Sequence, residues 1–355
     1  MKRALVYCAG GGIGDSLVAS VVARALRSRY ERVDALTLPE HRVTLARVPD
    51  LDDVLVDDGG DERELAAKLF ERGYACAVVT WATARTANVA ALAKIPVRVG
   101  QARRLYSRLF TRQVVVRSET GDVTSHWSDI LLDYARAIGC DTRDHAPRFI
   151  PTASDISEAD RVTLSLSKGS LSKGEFIILH ATNAIATKRG IWPVHGWAML
   201  ARELAQRFEV RIVLSGSAAD VAVNDAILRQ APLRQAQDDS IVNVAGKIGI
   251  GAFGALAQRS QAFVGITTGS MHVAAAAGAA TVGIFPFQSD FPERWAPLGE
   301  RTAIVRATYP CHNGDTKEQC RDYACIANLD TPRILAAAES LIGGARARYD
   351  TTVHL

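Results

Sequence analysis

Short apolar runs alternate with longer segments whose apolar residues recur every three or four positions, and this alternation continues along most of the chain. Residues 4–8, Ala-Leu-Val-Tyr-Cys, read as a buried strand that ends in Ala9-Gly10-Gly11-Gly12-Ile13-Gly14-Asp15. Leu17, Val21, Val22, Ala25 and Leu26 then mark one face of a helix over residues 16–29. Strand signals recur at 33–38, 53–56, 76–80, 97–100 and 113–116, with helical stretches between several of them. Such alternation predicts βαβ units and a mostly parallel sheet.

The pattern lapses at residues 155–175, where Ser-Leu-Ser-Lys-Gly at 165–169 is repeated at 170–174. A polar, glycine-punctuated repeat predicts a linker or exposed insertion. A second α/β half follows, with strands at 176–180, 210–214, 262–266 and 280–285 and helices near 195–207 and over 219–229. A closing helix spans 331–342, with Thr331 as N-cap and Pro332 at the first helical position. The expected organisation is a Rossmann-like domain over 1–155, a linker over 156–175, a second Rossmann-like domain over 176–330, and a C-terminal helix and tail over 331–355.

Bulk properties agree. A chain of 355 residues is long for one core, and 48% hydrophobic with 23% charged residues is a globular composition. A net charge of +4 is modest for this length and gives no ground to expect nucleic acid as a partner. The six cysteines are mostly scattered, with Cys8 and Cys76 in buried-looking strands, which fits a reducing cytoplasm. No secretory signal is visible after Met1-Lys2-Arg3, and the weakly polar stretch 273–287 is shorter than the roughly 20 residues of a membrane span.

Three segments carry candidate chemistry. In the first, a strand, the loop with Gly11, Gly12 and Gly14, and then a helix bring main-chain N–H groups to a ligand. A dinucleotide site fits the spacing loosely, with Asp34 about 20 residues on as the ribose partner. Asp15 would set an anion where the pyrophosphate should lie; it suits either a helix cap or a base facing a cleft. The second segment, His180 to Pro193, contains Thr182, Asn183, Lys188 and Arg189, and hydroxyls, an amide and cations at the carboxyl edge of a sheet suit a diphosphate. A solvated loop is the alternative. The third, Thr267-Thr268-Gly269-Ser270-Met271-His272, puts hydroxyls and free N–H groups at a helix start, with His272 either a ligand contact or a core residue.

Together these segments resemble glycosyltransferase family nine, the ADP-heptose:lipopolysaccharide heptosyltransferases. Ala245-Gly246-Lys247 and Pro292-Glu293-Arg294-Trp295 fall in the same order, and the resemblance runs from about residue 4 to 343. It implies a GT-B fold, two Rossmann-like domains facing across a cleft, with acceptor on the N-terminal half and ADP-sugar on the C-terminal half. It also implies an inverting transfer of heptose or a related sugar to a saccharide such as the lipopolysaccharide inner core, with Asp15 as general base. Thr182, Asn183 and Lys188 would hold the diphosphate without a metal or cofactor; Thr268, Gly269 and His272 would complete the phosphate and sugar contacts. The main chain around Lys247 and Ile248 would meet the adenine. The chain departs from the family at Thr267, where an aspartate usually grips the sugar, and at Ala219, where a ribose-binding acid is expected and Asp220 stands beside it.

Other features leave alternatives open. Arg98, Arg103, Arg104, Arg108, Arg112 and Arg117 form either a solvated basic face or a landing strip for an anionic glycan, glycolipid or protein acceptor, with peripheral association at the inner face of the inner membrane. Cys311, His312, Cys320 and Cys325 could complete a tetrahedral metal site, as iron-binding autotransporter heptosyltransferases do in this region, or remain free thiols. Alternative functions are a protein heptosyltransferase of the autotransporter type, a non-catalytic sugar-nucleotide-binding member, and a GT-B-fold epimerase, for which no clear carboxylate pair is present.

Overall fold

A computed structural model of the chain describes residues 2–166, 172–181, 192–231, 241–287, 291–310, 320 and 323–343. Its contacts divide into two units, Met1–Ile150 and Pro151–Leu355. The first contains strands β1 (Arg3–Cys8), β2 (Arg32–Thr37), β3 (Asp53–Val56), β4 (Tyr74–Val79), β5 (Val97–Gln101) and β6 (Arg112–Val114). They form one parallel sheet in the order β3-β2-β1-β4-β5-β6. The central strands are apolar without alternation because helices cover both faces of a parallel sheet. Leu5, for instance, lies between Asp34 and Ala77 in the register, and Leu5, Tyr7, Leu36, Ala77 and Val79 join Leu69 and Ala87 in the core.

The second unit repeats the plan with β7 (Phe176–His180), β8 (Arg211–Leu214), β9 (Ile241–Asn243), β10 (Ala262–Ile266), β11 (Thr281–Phe285) and β12 (Thr302–Arg306). The order is β12-β11-β10-β7-β8-β9, again parallel throughout. Its core gathers Ile177, Leu179, Trp197, Leu214, Val264 and Ile284 with Ile334 and Leu341 of the closing helix.

Four expectations need correction. The helix expected over 16–29 is two, Ile13–Ala19 and Val21–Leu26, because the Ser20 N–H and hydroxyl both donate to the Leu17 carbonyl. The expected linker starts instead as a helix, Ala153–Leu166, packed on the helix Ile250–Arg259. Asp160 pairs with Arg259 at 2.6 Å and Glu158 accepts the Gly249 N–H at 2.8 Å, capping that second helix. Residues 167–171, half of the pentapeptide repeat, lie outside the described residues. Strands β9 and β12 add to the expected set, and the closing helix Thr331–Ile342 is capped by Asp330, not Thr331; the Asp330 carboxylate accepts the Arg333 N–H.

Candidate functional site

In each sheet the strand order reverses at one place, between β1 and β4 in the first unit and between β7 and β10 in the second. Loops leaving the carboxyl ends of such neighbouring strands diverge, and ligands of open α/β sheets bind in the gap. The glycine loop after β1 therefore lies at one such point. The His180 segment after β7 and the Thr267 segment after β10 flank the other.

Asp15 is the third residue of the helix Ile13–Ala19, half-buried, and its Oδ2 accepts the Gly12 N–H at 2.7 Å. Gly11 makes this possible. Its φ of +68° disfavours side chains, and a Cβ there would lie 2.7 Å from Asp15 Oδ2. A small pocket beside the carboxylate is lined by Cys8, Gly10, Ser16, Thr80, Trp81, Trp127 and others. Ser16, next in the chain, meets the buried His41 ring at Nδ1, 2.8 Å away. Burial lowers the His41 pKa, with the Asp15 and Glu40 charges acting in the opposite direction. Asp34 is not placed as a ribose partner for a dinucleotide: it is fully buried towards the start of β2, where Tyr74 donates to it at 2.7 Å.

In the second unit, Thr268 is the N-cap of the helix Gly269–Ala276, yet its side chain makes no capping hydrogen bond. Its Oγ1 is buried without a partner among the described residues. Such a hydroxyl at a helix N-terminus is suited to a phosphate oxygen. Thr267 is half-buried beside it, its N–H donating to Ile284. His272 is 7% exposed and meets the Trp295 ring edge-on, so it is a packed residue one turn below the cap. His180 is buried between Phe253 and Phe263, its Nδ1 2.9 Å from Ser215 Oγ, and burial pushes its pKa down to about 4.

Asp220 is buried, and its carboxylate accepts both the N–H and the hydroxyl of Ser217 at 2.8 Å, closing the turn Ala218–Asp220. It acts there as a cap. Lys247 is exposed but folds Nζ back to the Asn243 carbonyl at 3.0 Å, while Ile248 is half-buried ahead of the helix Ile250–Arg259. Thr182, Asn183 and Lys188 lie outside the described residues, as do Cys311 and His312. Cys320 is half-buried and accepts the Tyr323 N–H, Cys325 is buried, and no group of three or more metal-ligating side chains occurs among the described residues.

The arginine strip does not form one free basic face. Arg98 donates to the Leu109 and Ile95 carbonyls, Arg104 pairs with Glu119, and Arg117 is surrounded by Asp122, Asp129 and Asp133. Arg103, Arg108 and Arg112 remain exposed, Arg103 with a φ of +63°. No helix among the described residues is long and apolar enough to cross a membrane. Sequence reasoning missed His41, Thr80, Trp81 and Trp127 around Asp15. Only Trp81 gave a usable signal, an aromatic residue directly behind a predicted strand.

The chain matches the model of glycosyltransferase family 9 (heptosyltransferase) over residues 63–324. Its fold is shared with Escherichia coli ADP-heptose lps heptosyltransferase II, at a TM-score of 0.76 and 21% identity over 98% of this chain and 100% of that one. A glycosyl transferase family 9 protein from Veillonella parvula superposes with a TM-score of 0.79 at 17% identity, covering 96% and 97%. E. coli heptosyltransferase WaaC, solved with ADP, gives 0.64 at 14% identity over 86% and 93%. No curated protein sequence matches. With the match to the family model spanning well over half of its length, the chain is a member of glycosyltransferase family 9, the heptosyltransferases.

Proposed function

We propose that the chain transfers heptose, or a closely related sugar, from an ADP-sugar to a saccharide acceptor with inversion at the anomeric carbon. The observation that carries this is the Asp15 carboxylate: one oxygen is fixed by the Gly12 N–H, and the group borders a small pocket at the β1/β4 switch point. In the proposed step Asp15 takes the proton of the attacking acceptor hydroxyl. The new oxygen–carbon bond forms as the bond from the anomeric carbon to the β-phosphate oxygen breaks, and ADP departs with the electron pair.

Charge developing on the leaving diphosphate needs donors that are already in place. The unpartnered Thr268 hydroxyl and the N–H groups opening the helix Gly269–Ala276 supply them in the second unit. Lys188 adds the positive charge that a divalent ion would otherwise bring, and Thr182 and Asn183 add neutral hydrogen-bond donors. The main chain at Lys247 and Ile248 receives the adenine. The acceptor in this reading is a saccharide, lipid-borne at the inner membrane face, whose anionic groups the exposed Arg103, Arg108 and Arg112 would steer.

The test is turnover of ADP-heptose with deacylated lipopolysaccharide core oligosaccharides, with the product linkage read by NMR. Inverted product formed equally well in EDTA supports the proposal. Retention of configuration, or a strict divalent-ion requirement, contradicts it.

A further inference from the structure

The pocket beside Asp15 contains an indole that proton abstraction does not use. Trp81 is the second residue after β4, on the far side of the switch point from the glycine loop, and it is 40% exposed. A single exposed apolar side chain is ordinary on a protein surface. This one differs in how firmly it is held. The Thr80 N–H donates to the Tyr7 carbonyl at 3.0 Å, and the Tyr106 hydroxyl donates to the Ala82 carbonyl at 2.7 Å. Thr83 then caps the helix Ala84–Leu92 by accepting the Thr86 N–H. The main chain on both sides of Trp81 is thus fixed.

The ring is seated as well. A Cβ on Gly10 would lie 2.0 Å from the indole Cδ1, so the five-membered ring rests directly on the glycine loop that carries Asp15. Trp127 and Leu131, from the helix Trp127–Arg136, line the same pocket. A carboxylate bordered by a seated indole and further apolar side chains suits a ligand with hydroxyls at its rim and C–H groups on its face, which describes a pyranose ring. Its C–H groups meet the electron-rich face of an aromatic ring favourably, and a tryptophan fixed beforehand loses little entropy on contact.

Resting on the transferase function proposed above, we infer that Trp81 is the platform on which the acceptor sugar ring stacks, so that its reacting hydroxyl is presented to Asp15. Trp81 is then a specificity residue: it selects a ring with an unsubstituted apolar face and leaves donor binding untouched.

The experiment compares full-length wild type with Trp81→Phe, Trp81→Leu and Trp81→Ala. Affinity for deacylated lipopolysaccharide core oligosaccharides is read by saturation-transfer NMR on the sugar C–H protons, and ADP affinity by calorimetry. Trp81→Leu and Trp81→Ala should bind the oligosaccharide about tenfold more weakly, the size of one lost aromatic contact. Trp81→Phe should stay close to wild type, ADP affinity should be unchanged in all three, and the acceptor KM should rise more than kcat falls. Should Trp81→Ala fail to fold, the Phe and Leu pair decides the matter, since both fill the seat over Gly10 and only one has a π face. Equal oligosaccharide affinity in wild type and Trp81→Leu overturns the inference, as does a parallel loss of ADP affinity, which would mark the indole as a cover for the loop. Oligosaccharide binding that depends on Trp81, without turnover of ADP-heptose or of any related ADP-sugar, would instead sink the transferase function and leave the platform standing.

Discussion

The Gly12 N–H donates to the Asp15 carboxylate at 2.7 Å, so the residue proposed as the base is also the cap of its own helix. The two roles separate by substitution. Asp15→Asn keeps an oxygen that accepts the Gly12 N–H but cannot take a proton. It should lower kcat by about 10²–10⁴ with melting temperature and ADP affinity unchanged. Asp15→Ala should lose the same rate and, in addition, about 1 kcal/mol of stability. Steady-state kinetics with thermal melts on both variants check this, and near-normal turnover in Asp15→Asn would refute the base.

Thr268 carries the donor side of the proposal. Its hydroxyl has no partner among the described residues, so replacing it with the isosteric valine should cost the free protein nothing. ADP affinity should fall by about 0.5–1.5 kcal/mol, the value of one hydrogen bond. Calorimetry and denaturant titration of Thr268→Val measure the two effects side by side. A destabilised variant with unchanged ADP affinity would assign Thr268 a structural role instead.

Thr267 stands where an acidic side chain is usual in the family. A neutral hydroxyl accepts fewer hydrogen bonds from sugar hydroxyls than a carboxylate. Thr267→Asp should therefore increase the preference for ADP-heptose over ADP-mannose by about 1.5–3 kcal/mol, one charge-assisted hydrogen bond. The ratio of kcat/KM for the two donors before and after substitution reads it directly. If the ratio does not move, position 267 does not contact the sugar.

His180 gives the second unit a pH limit. Burial lowers its pKa to about 4 from the ordinary 6.5, so below pH 6.5 the unfolded chain takes up a proton that the folded chain refuses. The stability that this residue confers is complete above pH 6.5 and is lost as the pH falls towards 4. At pH 4.5 the loss should reach about 2–3 kcal/mol. Urea unfolding of wild type and His180→Gln at pH 7.5 and 4.5 isolates this contribution from the carboxylates. An identical acid loss in both proteins would show that His180 is not its source.

What the sequence reveals depends on whether a signal is local. Strands such as Phe176–His180 are legible because burial on both faces leaves five consecutive buried residues, and β9 escapes notice because it is only three residues long. The helix Ala153–Leu166 is hidden for a different reason. Its buried positions include Asp155, Ala159 and Thr163, while Ile156 and Leu164 face solvent, which inverts the usual amphipathic pattern. Asp15 is readable from the glycine loop around it, whereas His41 and Trp81 come from other elements and meet it only through the sheet topology. The arginine strip is misleading because Asp122, Asp129 and Asp133, which surround Arg117, are dispersed among unremarkable stretches of sequence.

The helix Ala153–Leu166 also decides where this protein can be cut. A fragment beginning at β7, where the pattern of strands resumes, would bare the wall of Ile250–Arg259 against which Ala159 and Thr163 are buried. It would strip the Gly249 N–H of Glu158 and leave Arg259 without Asp160. A recombinant second unit intended to live alone must therefore begin at Pro151, bringing with it a stretch that looks like a dispensable tether and serves as a buttress.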